Sequence, residues 1–130
     1  MNIKLSGCGR SALLAVSLGT LLLMPVSSAF AQPGTMDEEI NFLISKVGRD
    51  GCVFIRNDRR YTGRQARVHL QSKLELNAAL VHNTEEFIDK IASISADTGK
   101  PYLIRCARQY QFSAYEWFTM LLASYRKEQP

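Results

Sequence analysis

Two cysteines in the body of the chain, Cys52 and Cys106, constrain its fold more than any other pair of residues. Bonded, they would close a loop of about 54 residues and stabilise the fold by roughly 4 kcal/mol in the chain-entropy model. That is a large share of the ~5–15 kcal/mol typical of a whole domain. Whether they bond depends on compartment, because disulfides persist in oxidising environments and are rare in the cytosol. The N-terminal segment speaks to compartment. Met1 to Ala31 reads as a secretory signal peptide. Lys4 and Arg10 give it a positive start, Ser11 to Met24 an uncharged apolar run, and Pro25 a break. Ala29-Phe30-Ala31 is a small-x-small site, so cleavage is expected between Ala31 and Gln32. The apolar run, about 14 residues, is shorter than the ~20 of a spanning helix. Leu5-Ser6-Gly7-Cys8 imitates a lipoprotein box, but it precedes the apolar run instead of following it, so lipidation is not expected.

Cleavage leaves residues 32–130, a single small domain, with Cys52 and Cys106 as an even pair. Their separation lacks a Cys-x-x-Cys spacing, which argues against a metal or redox pair. The pair is expected to be a disulfide in a periplasmic or secreted protein. The whole chain has 16 Lys and Arg against 12 Asp and Glu, a net charge of +4. Lys4 and Arg10 belong to the leader, so the product is less basic than the chain. Neither nucleic acid nor, after cleavage, a membrane anchor is expected.

Thr35-Met36-Asp37-Glu38 is a capping box, and Ile40, Leu43, Ile44 and Val47 follow at helical spacing, predicting a first helix from Met36 to about Val47. Cys52 to Arg56 and Arg59 to Thr62 flank Asn57-Asp58, which predicts a hairpin. Thr62 to Gln65 forms a second capping box and opens a helix from Gly63 to about Leu80, with Ala66, His69, Leu70, Lys73 and Leu74 on one face. Thr84 is placed to cap a third helix bearing Phe87, Ile88, Ile91 and Ala92. Ser93 to Lys100 is a polar loop, and Pro101 to Cys106 a strand candidate. Ser113 to Glu116 is a third capping box before a broadly apolar last helix. The order predicts an α+β domain: four helices with a small antiparallel sheet made of a hairpin and one later strand, closed by one disulfide. Antiparallel pairing of the Phe54 and Tyr102 strands would bring Cys52 beside Cys106.

Several segments together resemble a known family. They are Phe54-Ile55-Arg56-Asn57, Ala66-x-x-His69-Leu70-x-x-Lys73, Thr84-Glu85-Glu86-Phe87-Ile88 and Gly99-Lys100-Pro101-Tyr102-Leu103-Ile104, with Trp117 near the end. The chain is similar across nearly all of residues 32–130 to a small family of exported bacterial proteins, known only as a domain of unknown function. Asp58 stands where the family's turn has glycine, and Thr98 where its loop has serine. The resemblance implies a periplasmic α+β domain and supplies no reaction.

The residues that can carry chemistry form a candidate binding cluster: Arg56, Asn57, His69, Lys73, Ser95 and Tyr102. His69 and Lys73 share a helical face, where His69 has the pKa range of a general base and Lys73 the charge to hold an anion. The plainer alternative is structural, with His69 hydrogen-bonded to the hairpin or the later loop and Lys73 lying along the helix face. A Ser–His hydrolase needs an orienting acid and an oxyanion hole. No Gly-x-Ser-x-Gly turn is present, and there is no obvious acid partner beyond Asp97, Glu85 or Glu86. His69 and His82 lie at opposite ends of the second helix and do not make a metal site alone. Arg56, Arg59, Arg60, Arg64 and Arg67 form either an anion-facing patch or a solvated face. No cofactor, metal or catalytic residue is assigned. The expected function is a non-enzymatic binding or interaction module of the cell envelope, meeting a protein or cell-wall component. The alternatives are a small hydrolase or transferase using His69 with Ser95 or Lys73, and an inhibitor of a cell-wall hydrolase presenting Asp97 to Lys100.

Overall fold

The structure, a computed structural model, describes residues 34–107 and 110–129. The expected leader, the expected cleavage site at Ala31 and Gln32, and Cys8 lie outside the described residues. Among the described residues, no helix is long and apolar enough to cross a membrane.

Helix α1 spans Met36–Lys46 and opens on the Thr35/Glu38 capping box, with Asp37, Glu38 and Glu39 in its first turn. These carboxylates sit at the positive end of the helix dipole. Strands β1 (Val53–Arg56) and β2 (Arg59–Tyr61) form the hairpin. Asn57 and Asp58 both have positive φ, 48° and 63°. Two left-handed residues make a type I′ turn, whose twist matches the flanking strands. Asp58 therefore keeps the geometry that glycine adopts without strain.

Helix α2 spans Gly63–Leu76 behind the Thr62/Gln65 capping box. It ends short of Leu80 because Asn77 leaves helical geometry, with its amide nitrogen donating to the Lys73 carbonyl at 2.7 Å. Ala78–Leu80 then make one 3-10 turn, so His82 lies beyond the helix, where it pairs with Glu86. Lys90 and the His82 backbone also hold Glu86, whose carboxyl pKa falls to about 2. The third helix, α3, starts at Thr84–Glu86 and widens into a π-helical stretch, Phe87–Ala92. Its cap is Asn83, not Thr84: the Asn83 side chain accepts from the Glu86 N–H at 2.8 Å. Thr84 is buried and spends its hydroxyl across the interface, donating to Glu39 at 2.5 Å.

Strand β3 is Leu103–Arg105, and a fourth strand, β4 (Gln111–Ser113), was not expected from the sequence. It is short and takes its identity from pairing with β3. The sheet is antiparallel in the order β2-β1-β3-β4. Phe54 pairs with Ile104, and Val53 with Arg105. Helix α4, Ala114–Glu128, follows directly from the Ser113/Glu116 capping box.

Helix α2 packs on β1 and β2, α4 packs on β3 and β4, and the π stretch touches both helices. Tyr102, Phe54, Phe87, Phe118, Leu43 and Leu70 fill the core between them. Arg126 clamps the far side. It grips Glu39 through two nitrogens, at 2.7 and 2.9 Å, and Glu85 through a third at 2.6 Å. The guanidinium holds both carboxyls below their ordinary range, and the carboxylates raise the pKa of Arg126. This ties the end of α4 to α1 and α3.

Cys52 and Cys106 are bonded, one step beyond the β1–β3 pairs. Reducing the bond should lower the free energy of unfolding by about 4 kcal/mol. Urea unfolding of oxidised and reduced protein checks this, and identical stabilities would contradict it.

Candidate functional site

Three segments bring the expected cluster together. Arg56 ends β1, His69 and Lys73 project from one face of α2, and Tyr102 precedes β3. These four line one open cleft of about 230 Å3, with Asp97 and Leu76 among its other walls. On the other side of Arg56 and His69 lies a smaller hollow of about 130 Å3, lined by Phe54, Tyr61, Gln65 and Ala66. Arg56 and His69 thus form the partition between two depressions.

The other two expected residues, Asn57 and Ser95, do not line the cleft. They brace it. The Asn57 amide nitrogen donates to the Ser95 hydroxyl at 3.2 Å, and its carbonyl accepts from Thr98 at 2.5 Å. Arg56 pairs with Asp97, and Asp58 with Lys100 at 2.8 Å. Arg56, Asn57 and Asp58 are therefore each stitched to the loop that precedes β3. The loop is also closed on itself. The Ser95 N–H donates to the Lys100 carbonyl, the Gly99 N–H to the Ser95 carbonyl and the Tyr102 N–H to the Ser93 carbonyl, all within 2.9 Å. Gly99 takes a positive φ of 67° to allow this.

His69 Nε2 lies 3.0 Å from the Tyr102 hydroxyl. The partner named by the structure is thus a phenol; Ser95, buried and bonded to Asn57, is turned to another task. Lys73 does more than lie along its helix. Its ammonium donates to the carbonyls of Ile91 and Ile94, at 2.9 and 2.5 Å, and sits 5.3 Å from the centre of the Tyr102 ring. Helix ends leave carbonyls unpaired, and a cation there satisfies them and complements the dipole. Lys73 therefore caps the end of the π stretch from the neighbouring helix.

Burial, then the positive charges of Arg56 and Lys73, push the His69 pKa down. Burial and Arg56 likewise lower that of Lys73, and burial raises that of Tyr102. At neutral pH the imidazole and the phenol are both uncharged. They are bonded to each other, the phenol fully buried, beside one guanidinium whose buried Nε has no partner among the described protein atoms. Among the described residues, no group of three or more His, Cys, Asp or Glu side chains is arranged to hold a metal ion. Leu76 was not legible as a site element, although it ends α2 less than one turn after Lys73. Asp97, a candidate acid from the sequence, reaches the cleft because the loop docks on the hairpin.

The depressed His69 pKa has a sign. The unfolded state binds this proton at higher pH than the native state, so stability should fall as pH drops below ~6.5, the ordinary histidine value. An NMR titration should place the His69 midpoint below that value, and Arg56→Gln should move it upward. A His69 midpoint at or above 6.5 would contradict the burial and charge assigned to it. The turn brace is separable from the turn backbone. Asn57→Ala loses both the left-handed preference and two side-chain bonds, a cost of about 2 kcal/mol. Asn57→Gly loses only the bonds and should be less destabilising. Equal effects in denaturant melts would show that the bonds alone matter.

A family model described as a family of unknown function (DUF5329) matches residues 34–126. The uncharacterised protein YfeK of Salmonella typhimurium is 34% identical over 84 residues, covering 63% of this chain and 68% of that protein. No solved structure matches the chain. A match over most of the described domain places the chain in this group: it belongs to the DUF5329 family of unknown function.

Proposed function

We propose that the protein is an exported, periplasmic, non-enzymatic binding module of the cell envelope, released from its leader after Ala31. Its partner, a protein or a cell-wall component, docks at the cleft of Arg56, His69, Lys73 and Tyr102. One observation carries this: four polar side chains from three separate segments converge on a single open cleft with an apolar flank. A few converging polar groups in a partly apolar hollow are what small recognition sites use. The Arg56 guanidinium, partly exposed in the cleft wall, brings a positive charge to an acceptor on the partner. The disulfide fits an oxidising compartment.

Binding accounts for these side chains better than the alternatives. A Ser–His pair needs the hydroxyl at the imidazole. Here His69 faces Tyr102 and Ser95 faces Asn57, and Lys73 is engaged with two carbonyls. A protruding inhibitor loop would present Asp97 and Lys100, but both are paired to the hairpin.

Sacculi and detergent extracts of the envelope, each added to the purified protein, test the proposal. One of them should raise the melting temperature and perturb the NMR signals of His69 and Tyr102, and Arg56→Gln with His69→Ala should weaken the response at least about tenfold. Periplasmic material should begin at Gln32. A response unchanged in the double variant, or none from either preparation, would overturn the assignment.

A further inference from the structure

A third depression lies between α1 and α2, on a different part of the surface from the His69 cleft. It is an open groove of about 470 Å3, lined by Asn41, Ser45, Gly48, Arg49, Arg67 and Gln71, with Ile44 also in its wall. That size falls within the ~300–1,000 Å3 of ordinary ligand sites. Asn41 and Ser45 are one helical turn apart on α1, and Arg67 and Gln71 one turn apart on α2, so each helix presents a polar stripe to the seam.

The seam has its shape because two glycines cross. A Cβ on Gly48 would lie 2.1 Å from the Gly63 Cα, so the chain leaving α1 can touch the start of α2 only without side chains. This contact sets the end of the groove beside Arg49 and Arg67. Both arginines are anchored. Arg67 Nη1 donates to the Val47 carbonyl at 2.6 Å, and Arg49 Nε donates to the Ser45 carbonyl at 2.8 Å. Each bond uses one N–H of a guanidinium, a group with five. Among the described residues, neither arginine is in an ion pair, and no carboxylate lines the groove.

We propose that this groove binds a hydroxyl-bearing anion of the sugar-acid class, a ring carrying a carboxylate or phosphate. The two oriented guanidiniums match a planar or tetrahedral anion through paired N–H donors. The Asn41 and Gln71 carboxamides, each both donor and acceptor, match the hydroxyls. This site is independent of the His69 cleft, so the failure of either assignment leaves the other standing.

The test titrates the folded, oxidised protein with glucuronate, glucose 6-phosphate and glucose, following backbone and side-chain amide NMR signals. Glucuronate or glucose 6-phosphate should give saturable shifts at Asn41, Arg49, Arg67 and Gln71 and leave His69 unmoved, and the tighter of the two identifies the anion. Glucose, which lacks the charge, should bind at least about tenfold more weakly. Arg49→Gln, at an exposed residue outside the helices, should weaken the anion about tenfold, and Gln71→Ala should weaken it less. If Arg67→Gln proves unstable, these two exposed variants decide the matter. Equal binding of glucose and glucuronate, shifts that never saturate, or an unaffected Arg49→Gln protein would overturn the proposal.

Discussion

The antiparallel register between residues 52–58 and 100–106 is the constraint on which the rest of the molecule depends. The ladder pairs Val53, Phe54 and Ile55 with Arg105, Ile104 and Leu103. Carried one step outward, the same register places Cys52 opposite Cys106, where the disulfide forms. Carried the other way, it places Arg56 opposite Tyr102, and then Asp58 opposite Lys100, where the ion pair forms. The covalent staple and the candidate cleft are two ends of one line. Side chains alternate faces along a strand. Cys52, Phe54 and Arg56 therefore share a face with Cys106, Ile104 and Tyr102. The middle of that face is core, and its end opens into the cleft.

The helices complete what the register begins. Helix α2 lies on β1 and β2 and sets His69 against Tyr102. Lys73, one turn on, secures the end of the π stretch and leaves its charge near the imidazole. The His69 environment is thus a consequence of structural contacts, and the same side chains that hold the loop in place define the cleft. On the opposite side, Arg126 bonds Glu39 and Glu85 and fixes α4 against α1 and α3. A buried carboxylate without a partner would be costly, and Arg126 supplies that partner to Glu39.

Much of this was legible in the chain. Three capping boxes start α1, α2 and α4 at the positions the motifs mark, because the local hydrogen bonds that define a box need no tertiary context. The hairpin was readable from Asn57-Asp58, and the disulfide from an even cysteine pair behind a leader-like segment. Features set by distant partners were not. Strand β4 is three residues long and exists through its pairing with β3. Thr84 looks like a cap in isolation, yet Asn83 takes that role because Glu39 claims the threonine hydroxyl. The Arg126–Glu39 pair joins opposite ends of the domain. Of the six cluster residues, the four that line the cleft and the two that brace it look alike in sequence; only the docking of loop on hairpin separates them.

The most direct test of this account is a NOESY spectrum of the oxidised protein in solution. The register predicts Hα–Hα contacts between Phe54 and Ile104 and, at the cleft end, between Arg56 and Tyr102. A ladder slipped by one residue would pair Phe54 with Leu103 or Arg105 and turn Arg56 to the other face of the sheet. Such contacts would contradict the shared origin of the staple and the cleft.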